Sequence, residues 1–359
     1  MTQPQTFLLE PGEKSGRTPD LGAAVRLICK IQRLSGAIPW FADGIWDAWN
    51  HVESAMALEA AGELDAADRA FAYLKQTQKP DGSWLGDYGN TAPMADRLHM
   101  SRQTEGQFHD TNFVAYCATG IWHRYVSRGD KQDLFRFWPM VSRALGFVLE
   151  LQSEFGDVAW SSEAKLFGPD DSVLAGNASI RKSLESGIRI ATTLGKLKTA
   201  RTYAQAMARI DNAITNHRDR FDRNATDRSV YAMDWYYPSM SGCLKGHPAN
   251  LHIRKSWNQY FVDGLGCRCV STEPWVTIAE SAELAIALTG LGGHDVARQI
   301  LKFQLKHRDE DGTFWMGYQF DEKIFWPREK PSWTQAAVIL AFEALRAGSP
   351  TNRVLCQHA

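Results

Sequence analysis

What this 359-residue chain lacks narrows its class before any motif is read. No stretch approaches the ~18 apolar residues that a membrane-spanning helix needs. The apolar patch Phe7-Leu8-Leu9 ends at Glu10, too short for the centre of a secretory leader. Neither charge dominates: 40 Lys and Arg face 41 Asp and Glu with no basic block, which argues against nucleic acid as a partner. Six scattered cysteines (Cys29, Cys117, Cys243, Cys267, Cys269 and Cys356) do not make a disulfide scaffold in a chain this long. Together these absences predict reduced thiols, a cytoplasmic location and no integral membrane segment. A Gly-rich phosphate loop, a Gly-x-Ser-x-Gly elbow and a His-Glu-x-x-His pair are also missing, so serine-nucleophile and zinc-protease chemistry have no support.

Aromatic residues are plentiful, with 13 Trp, 17 Phe and 10 Tyr. Many of the Trp stand beside Asp, Glu, His or Asn, a mixture that belongs to a pocket wall more than to a plain core.

Helical periodicity runs along nearly the whole chain. It predicts helices over 23–34, 46–61, 66–78, 110–127, 133–152, 180–194, 200–221, 276–290, 296–307 and 333–347. Gly or Pro follows many of them, and short links between helices of similar length predict antiparallel pairs. No series of alternating strands separated by hairpin turns is visible. The stretch 222–274 is irregular and is expected to form a long functional loop region with short helices. The expected organisation is an extension over 1–20, one domain over 21–348 and a tail over 349–359. The oligomeric state is not readable.

Internal repeats sharpen the helix-pair reading. Arg69-Ala70-Phe71-Ala72-Tyr73-Leu74 is followed by Gln78, Gly82 and Trp84. Arg143-Ala144-Leu145-Gly146-Phe147-Val148 is followed at the same offsets by Gln152 and Gly156, with Val158 at the Trp position and Trp160 beyond. A degenerate copy keeps Phe303, Gly312 and Phe314, with Arg308 in place of Gln. Each copy reads as a helix ending in a turn. The Gln bonds exposed backbone, the Gly permits the turn and the aromatic packs back.

This pattern resembles the QW repeat of terpenoid cyclases, in the α/α-toroid superfamily that includes the protein prenyltransferases. The resemblance spans most of the chain. It implies an all-α fold with a single α/α toroid of six-hairpin type and a central cavity. The catalytic motifs of that superfamily are not present: there is no Asp-x-Asp-Asp and no Asp-Asp-x-x-Asp. Asp263, Cys267 and Cys269 near His252 match no zinc spacing and read as buried thiols, so no metal site is assigned. No cofactor is implied, except magnesium if the substrate were a diphosphate.

Four clusters could carry chemistry. In the first, Asp47, Asn50 and His51 share a helical face among Trp40, Trp46 and Trp49; the plain alternative is a capping Asp47 and a satisfied core His51. In the second, His109, Asp110 and Asn112 open an apolar helix, where Asp110 could simply be an N-cap. The third is Asp234-Trp235-Tyr236-Tyr237, whose aromatic faces would stabilise a cation or stack on a sugar. The fourth is Glu273-Pro274-Trp275 with Glu280 and Glu283, which lie in an otherwise apolar helix; burial would raise the pKa of either Glu.

The resulting expectation is an enzyme that starts acid-initiated chemistry on an isoprenoid or other hydrophobic small molecule. Its catalytic candidates are Asp47, His51, Asp110, Asp234 and Glu280. Its substrate-binding candidates are Trp40, Trp46, Trp49, His109, Asn112, Trp235, Tyr236, Tyr237, Glu273 and Trp275. The alternative is a carbohydrate-active α/α-barrel enzyme (a glycoside hydrolase, lyase or epimerase) with paired carboxylates acting on a glycan. A second alternative is a non-catalytic toroid that binds a lipid or partner.

Overall fold

A computed structural model describes residues 19–88, 108–162, 171–221 and 228–358. The chain alternates outer and inner helices. The outer ones are α1 (Gly22–Ile31), α3 (Leu64–Thr77), α6 (Lys131–Glu150), α8 (Leu197–Asn216), α10 (Gly246–Lys255) and α13 (His294–Gln304). The inner ones are α2 (Ala48–Ala61), the pair α4 (Thr111–Ala115) and α5 (Cys117–Arg128), α7 (Leu174–Thr193), α9 (Ala232–Met240), α12 (Ile278–Gly290) and α14 (Ser332–Ala344). The short α11 (Trp257–Tyr260) follows α10. Contacts run α2 to α5, to α7, to α9, to α12, to α14 and back to α2, so the inner ring is closed.

The two rings differ in sequence because they differ in surroundings. α12 and α14 are buried on nearly every face and consist mostly of small and apolar residues. α13 and α8 bury one stripe and keep charged residues outside. Close approach inside the ring needs glycine at one crossing: a Cβ on Gly120 of α5 would lie 2.5 Å from a Val52 methyl of α2.

The repeated Gln–Gly turn is the joint between neighbouring outer helices. Gln78 donates to the carbonyls of Gly82 and Met140, and Arg143 donates back to the Gln78 side-chain oxygen. Gln152 does the same with Gly156 and Ala206. A further copy, not separated out in the sequence, uses Gln32, which donates to Gly36 and Ala66 and accepts from Arg69. Gly36, Gly82 and Gly156 all have φ near +100°, and a Cβ on any of them would strike the carbonyl of Arg69, Arg143 or Arg209. The degenerate copy closes the ring: Gly312 packs on Ala23, and Arg308 donates to the Asp20 carbonyl.

Two expectations need correction. The fold is helical but not purely so, because five short strands form an antiparallel sheet in the order β1 to β5. They are β1 (Phe261–Val262), β2 (Gly266–Arg268), β3 (Trp275–Thr277), β4 (Gly317–Gln319) and β5 (Ile324–Phe325). Runs of two or three residues are too short to show an alternating pattern in sequence. The stretch 228–274 is not a long loop; it holds α9, α10, α11 and the first two strands. At the other end of the chain, Val354, Leu355 and Cys356 are buried, within a segment that touches α5, α12 and α14. No helix among the described residues is long and apolar enough to cross a membrane.

Candidate active site

The inner helices begin at one end of the barrel, and their first turns carry acids. Asp47 is the N-cap of α2. Its carboxylate accepts from the Asn50 backbone N–H at 2.8 Å, from the Asn50 amide at 2.6 Å and from the Trp40 indole at 2.6 Å. Burial raises its pKa, and those donors pull it back. The loop that supplies Trp40 is tied to the start of α14: the Ser332 N–H donates to the Trp40 carbonyl, and its hydroxyl donates to that of Pro39. Trp40 meets Trp333 edge-on at 4.9 Å.

Asp110 is the N-cap of α4 and accepts from the Phe113 N–H. Burial pushes its pKa up to about 7; the negative charge of Asp47 adds to this, and Arg228 opposes it. Asp234, in the first turn of α9, accepts from the Ala175 N–H at the start of α7 and from Arg228 at 3.2 Å. Its pKa is raised by burial and held back by Arg228. Glu280 stands in the first turn of α12 and is partly exposed.

Deeper along the same helices lie two further carboxyls. Glu53 of α2 accepts from the Tyr116 hydroxyl at 2.9 Å, and burial pushes its pKa up to about 7. Glu283 of α12 accepts from the hydroxyls of Tyr236 and Tyr237, and burial with the nearby Glu53 charge raises its pKa well above the usual range. Glu53 and Glu283 therefore face each other electrostatically across the ring. Sequence reading weighed Glu283 as a buried acid without making it a catalytic candidate, gave Glu53 and Phe113 no role of their own, and missed Tyr116 and Arg228. The available signal was an acid in mid-helix, in Val52-Glu53-Ser54-Ala55-Met56.

Not every candidate reaches this site. His51 is fully buried, and both its ring nitrogens are taken by backbone: Nδ1 accepts from Ile38, and Nε2 donates to Ala70. Burial lowers its pKa to about 4. Asn177 and Gln335 likewise accept from the N–H of Val158 and Phe314, each also donating to that residue's own carbonyl, so His51 is one of three side chains that seat a repeat turn. It is corrected from catalytic to structural. Trp46 is stacked on Tyr88 at 4.4 Å and Trp235 on Tyr260 at 4.9 Å; both are core rings. Tyr236 and Tyr237 present their hydroxyls to Glu283 and are themselves buried. Glu273 is exposed on a turn, and Trp275 lies in the sheet.

Trp49 gathers the remaining aromatics, with Phe113 at 5.5 Å, Tyr116 at 5.8 Å and Tyr237 at 6.1 Å. The buried amide oxygen of Asn112 has no hydrogen-bond partner among the described residues. His109 bridges Lys79 at 2.7 Å and Ser162 at 3.0 Å. His252 donates to the Trp235 carbonyl. Among the described residues no group of three or more His, Cys, Asp or Glu is placed to hold a metal ion. A cavity of about 340 Å³ lined by Val25, Ala61 and Phe342 lies by the C-terminal end of α2, away from these acids.

No protein-family model matches the chain. In fold it is similar to a protein described as a wild-type glycosidase, with a TM-score of 0.66 at 13% identity, covering 89% of this chain and 94% of that one. It is also similar to a bacterial glucoamylase complexed with acarbose, with a TM-score of 0.67 at 12% identity, covering 93% of this chain and 56% of that one. The GH63 mannosylglycerate hydrolase of Thermus thermophilus gives a TM-score of 0.64 at 12% identity, covering 90% and 99%. These findings overturn the assignment to the terpenoid-cyclase and prenyltransferase superfamily, and with it the isoprenoid substrate. The repeat that prompted it is a way of joining neighbouring outer helices, and such a joint carries no chemistry of its own. With 38% identity over 348 residues, covering 96% of this chain and 91% of the relative, the chain belongs to the family of the MMP endo-(1,4)-3-O-methyl-alpha-D-mannosidase of Mycolicibacterium hassiacum.

Proposed function

We propose that this protein is a glycoside hydrolase that cleaves internal links of a (1,4)-linked 3-O-methyl-α-D-mannan. The observation that carries this reading is the 38% identity to an endo-mannosidase across nearly the whole chain. The end of the barrel where the inner helices begin supports it chemically. Glycoside hydrolysis needs one carboxyl group that still holds its proton and a second that is ionised. Asp110, pushed up to about 7 and partly exposed, keeps a proton near neutral pH and is assigned as the general acid. Glu280, partly exposed on the first turn of α12, is assigned as the carboxylate that activates water or attacks the sugar. Asp47 is saturated with donors and buried; it positions Trp40 and Asn50. Trp49 and Phe113 offer an apolar wall against which methoxy groups lose little on leaving water.

Incubating the protein with a (1,4)-linked 3-O-methyl-α-D-mannan should release short oligosaccharides, read by mass spectrometry. Asp110→Asn should lower kcat by at least about 100-fold without changing the circular dichroism. An intact polymer after prolonged incubation with the wild-type protein would sink the assignment.

A further inference from the structure

We propose that Trp275 and Trp326 form a second sugar-stacking site, on the sheet beside the barrel mouth, that holds the same methylated glycan chain outside the carboxylate ring. This rests on the reading of the protein as a glycan hydrolase. Trp326 is 51% exposed, and every other tryptophan is half-buried or buried. Trp326 is the largest apolar side chain left exposed among the described residues. Ile324, 49% exposed, lies two residues away on β5.

The corner is built rather than loose. The Trp275 indole donates to the Trp326 carbonyl at 2.7 Å, and the two rings meet at 5.3 Å with 74° between their planes. The Trp275 ring lies over Gly317, where any Cβ would come within 2.3 Å of the indole nitrogen. Glycine at 317 therefore leaves room for the ring, and the ring in turn holds the backbone of Trp326. A binding surface ordered in advance loses little freedom on binding.

Position points to the occupant. β3 runs without a break into α12, with Thr277 as the N-cap, so Trp275 is five residues before Glu280. Five residues of chain span at most about 17 Å, a distance covered by a few sugar units. A glycan chain held at the carboxylates can therefore reach the corner. A protein partner fits less well, because stable interfaces bury about 1,200–2,000 Å². Here the exposed apolar side chains are those of Trp326 and Ile324, set among the exposed Asp321, Glu322, Lys323 and Arg328. An indole surrounded by polar groups suits a ligand with apolar C–H and methoxy faces and hydroxyl edges.

The test is affinity electrophoresis of the intact protein in gels containing 3-O-methylmannan, with Trp326→Ala beside the wild type and Leu251→Ala as a distant surface control. The wild type and Leu251→Ala should be retarded, and Trp326→Ala should bind roughly three- to tenfold more weakly. In hydrolysis assays the same variant should raise KM for long polymer by a similar factor and leave kcat unchanged. Equal retardation of Trp326→Ala and wild type would overturn the site. A change in oligomeric mass with unchanged glycan retention would also overturn it, making the corner a contact between copies. Retardation that depends on Trp326 in a protein that never cleaves the polymer would support the site while removing the hydrolase assignment.

Discussion

The two ends of the barrel handle buried charge in opposite ways. Where the inner helices begin, Asp47, Glu53, Asp110, Asp234, Glu280 and Glu283 gather, and among the described residues only Asp234 has an ion-pair partner, Arg228. Burial there raises the pKa of Asp47, Glu53, Asp110, Asp234 and Glu283. Towards the other end, carboxylates are matched. Glu185 of α7 meets Arg181, Lys182 and Arg189, and Lys182 also donates to the Gln357 carbonyl of the C-terminal segment. Glu59 of α2 takes two bonds from Arg128, with Arg124 close by. Matched charges fix a structure. Unmatched acids cost stability, and a fold keeps them where a reaction needs a carboxyl that holds its proton.

Substitutions at the two ends should therefore fail in different assays. The largest effect belongs to Asp110→Asn, with activity down at least about 100-fold and an unfolding midpoint at or above wild type. Next is Glu185→Ala, which leaves Lys182 buried without its carboxylate and Arg181 with Asp211 alone. It should cost about 3–5 kcal/mol in urea unfolding. A Glu185→Ala protein of native stability would break the contrast.

The pH dependence sharpens it further. The folded pKa of Glu53, about 7, lies above its usual value of 4.5, so folding favours the protonated form. That contribution is complete below about 4.5 and disappears as pH rises through 7. Glu53→Gln, which cannot titrate, should flatten stability between those limits. At pH 8 it should be more stable than wild type, read from thermal unfolding across pH. The smallest effect is expected at the repeat joint. Gln78→Ala removes two bonds to backbone and should cost about 1–2 kcal/mol with unchanged kcat.

Much of the scaffold was legible, because its signals are local. The span expected at 66–78 is seen as α3, and that at 276–290 as α12, since a helix declares itself in periodicity over a dozen residues. The Gln–Gly joint was readable for the same reason: Gln78 and Gly82 sit four residues apart and meet in one turn. The site was less legible. Asp47 and Asp110 were both weighed as helix caps and as acids. Both are caps, and burial raises the pKa of each. His51 misled because its spacing from Asp47 is equally good for chemistry and for gripping the turn at Ile38. The family was misread because a joint between helices was taken as the mark of one chemistry.

The sequence by itself determined most of the helical hairpins, though not the one formed by α9 and α10, and the glycine turns that let outer helices lie against one another. These depend on residues within a few turns of one another. Tertiary structure alone decided which acids share one space. Asp47, Asp110 and Asp234 are separated by scores of residues, yet ring closure brings the charge of Asp47 to bear on Asp110 and sets Arg228 within electrostatic reach of both Asp110 and Asp234. Burial then sets their proton affinities, and burial is a property of the packed ring rather than of any local stretch.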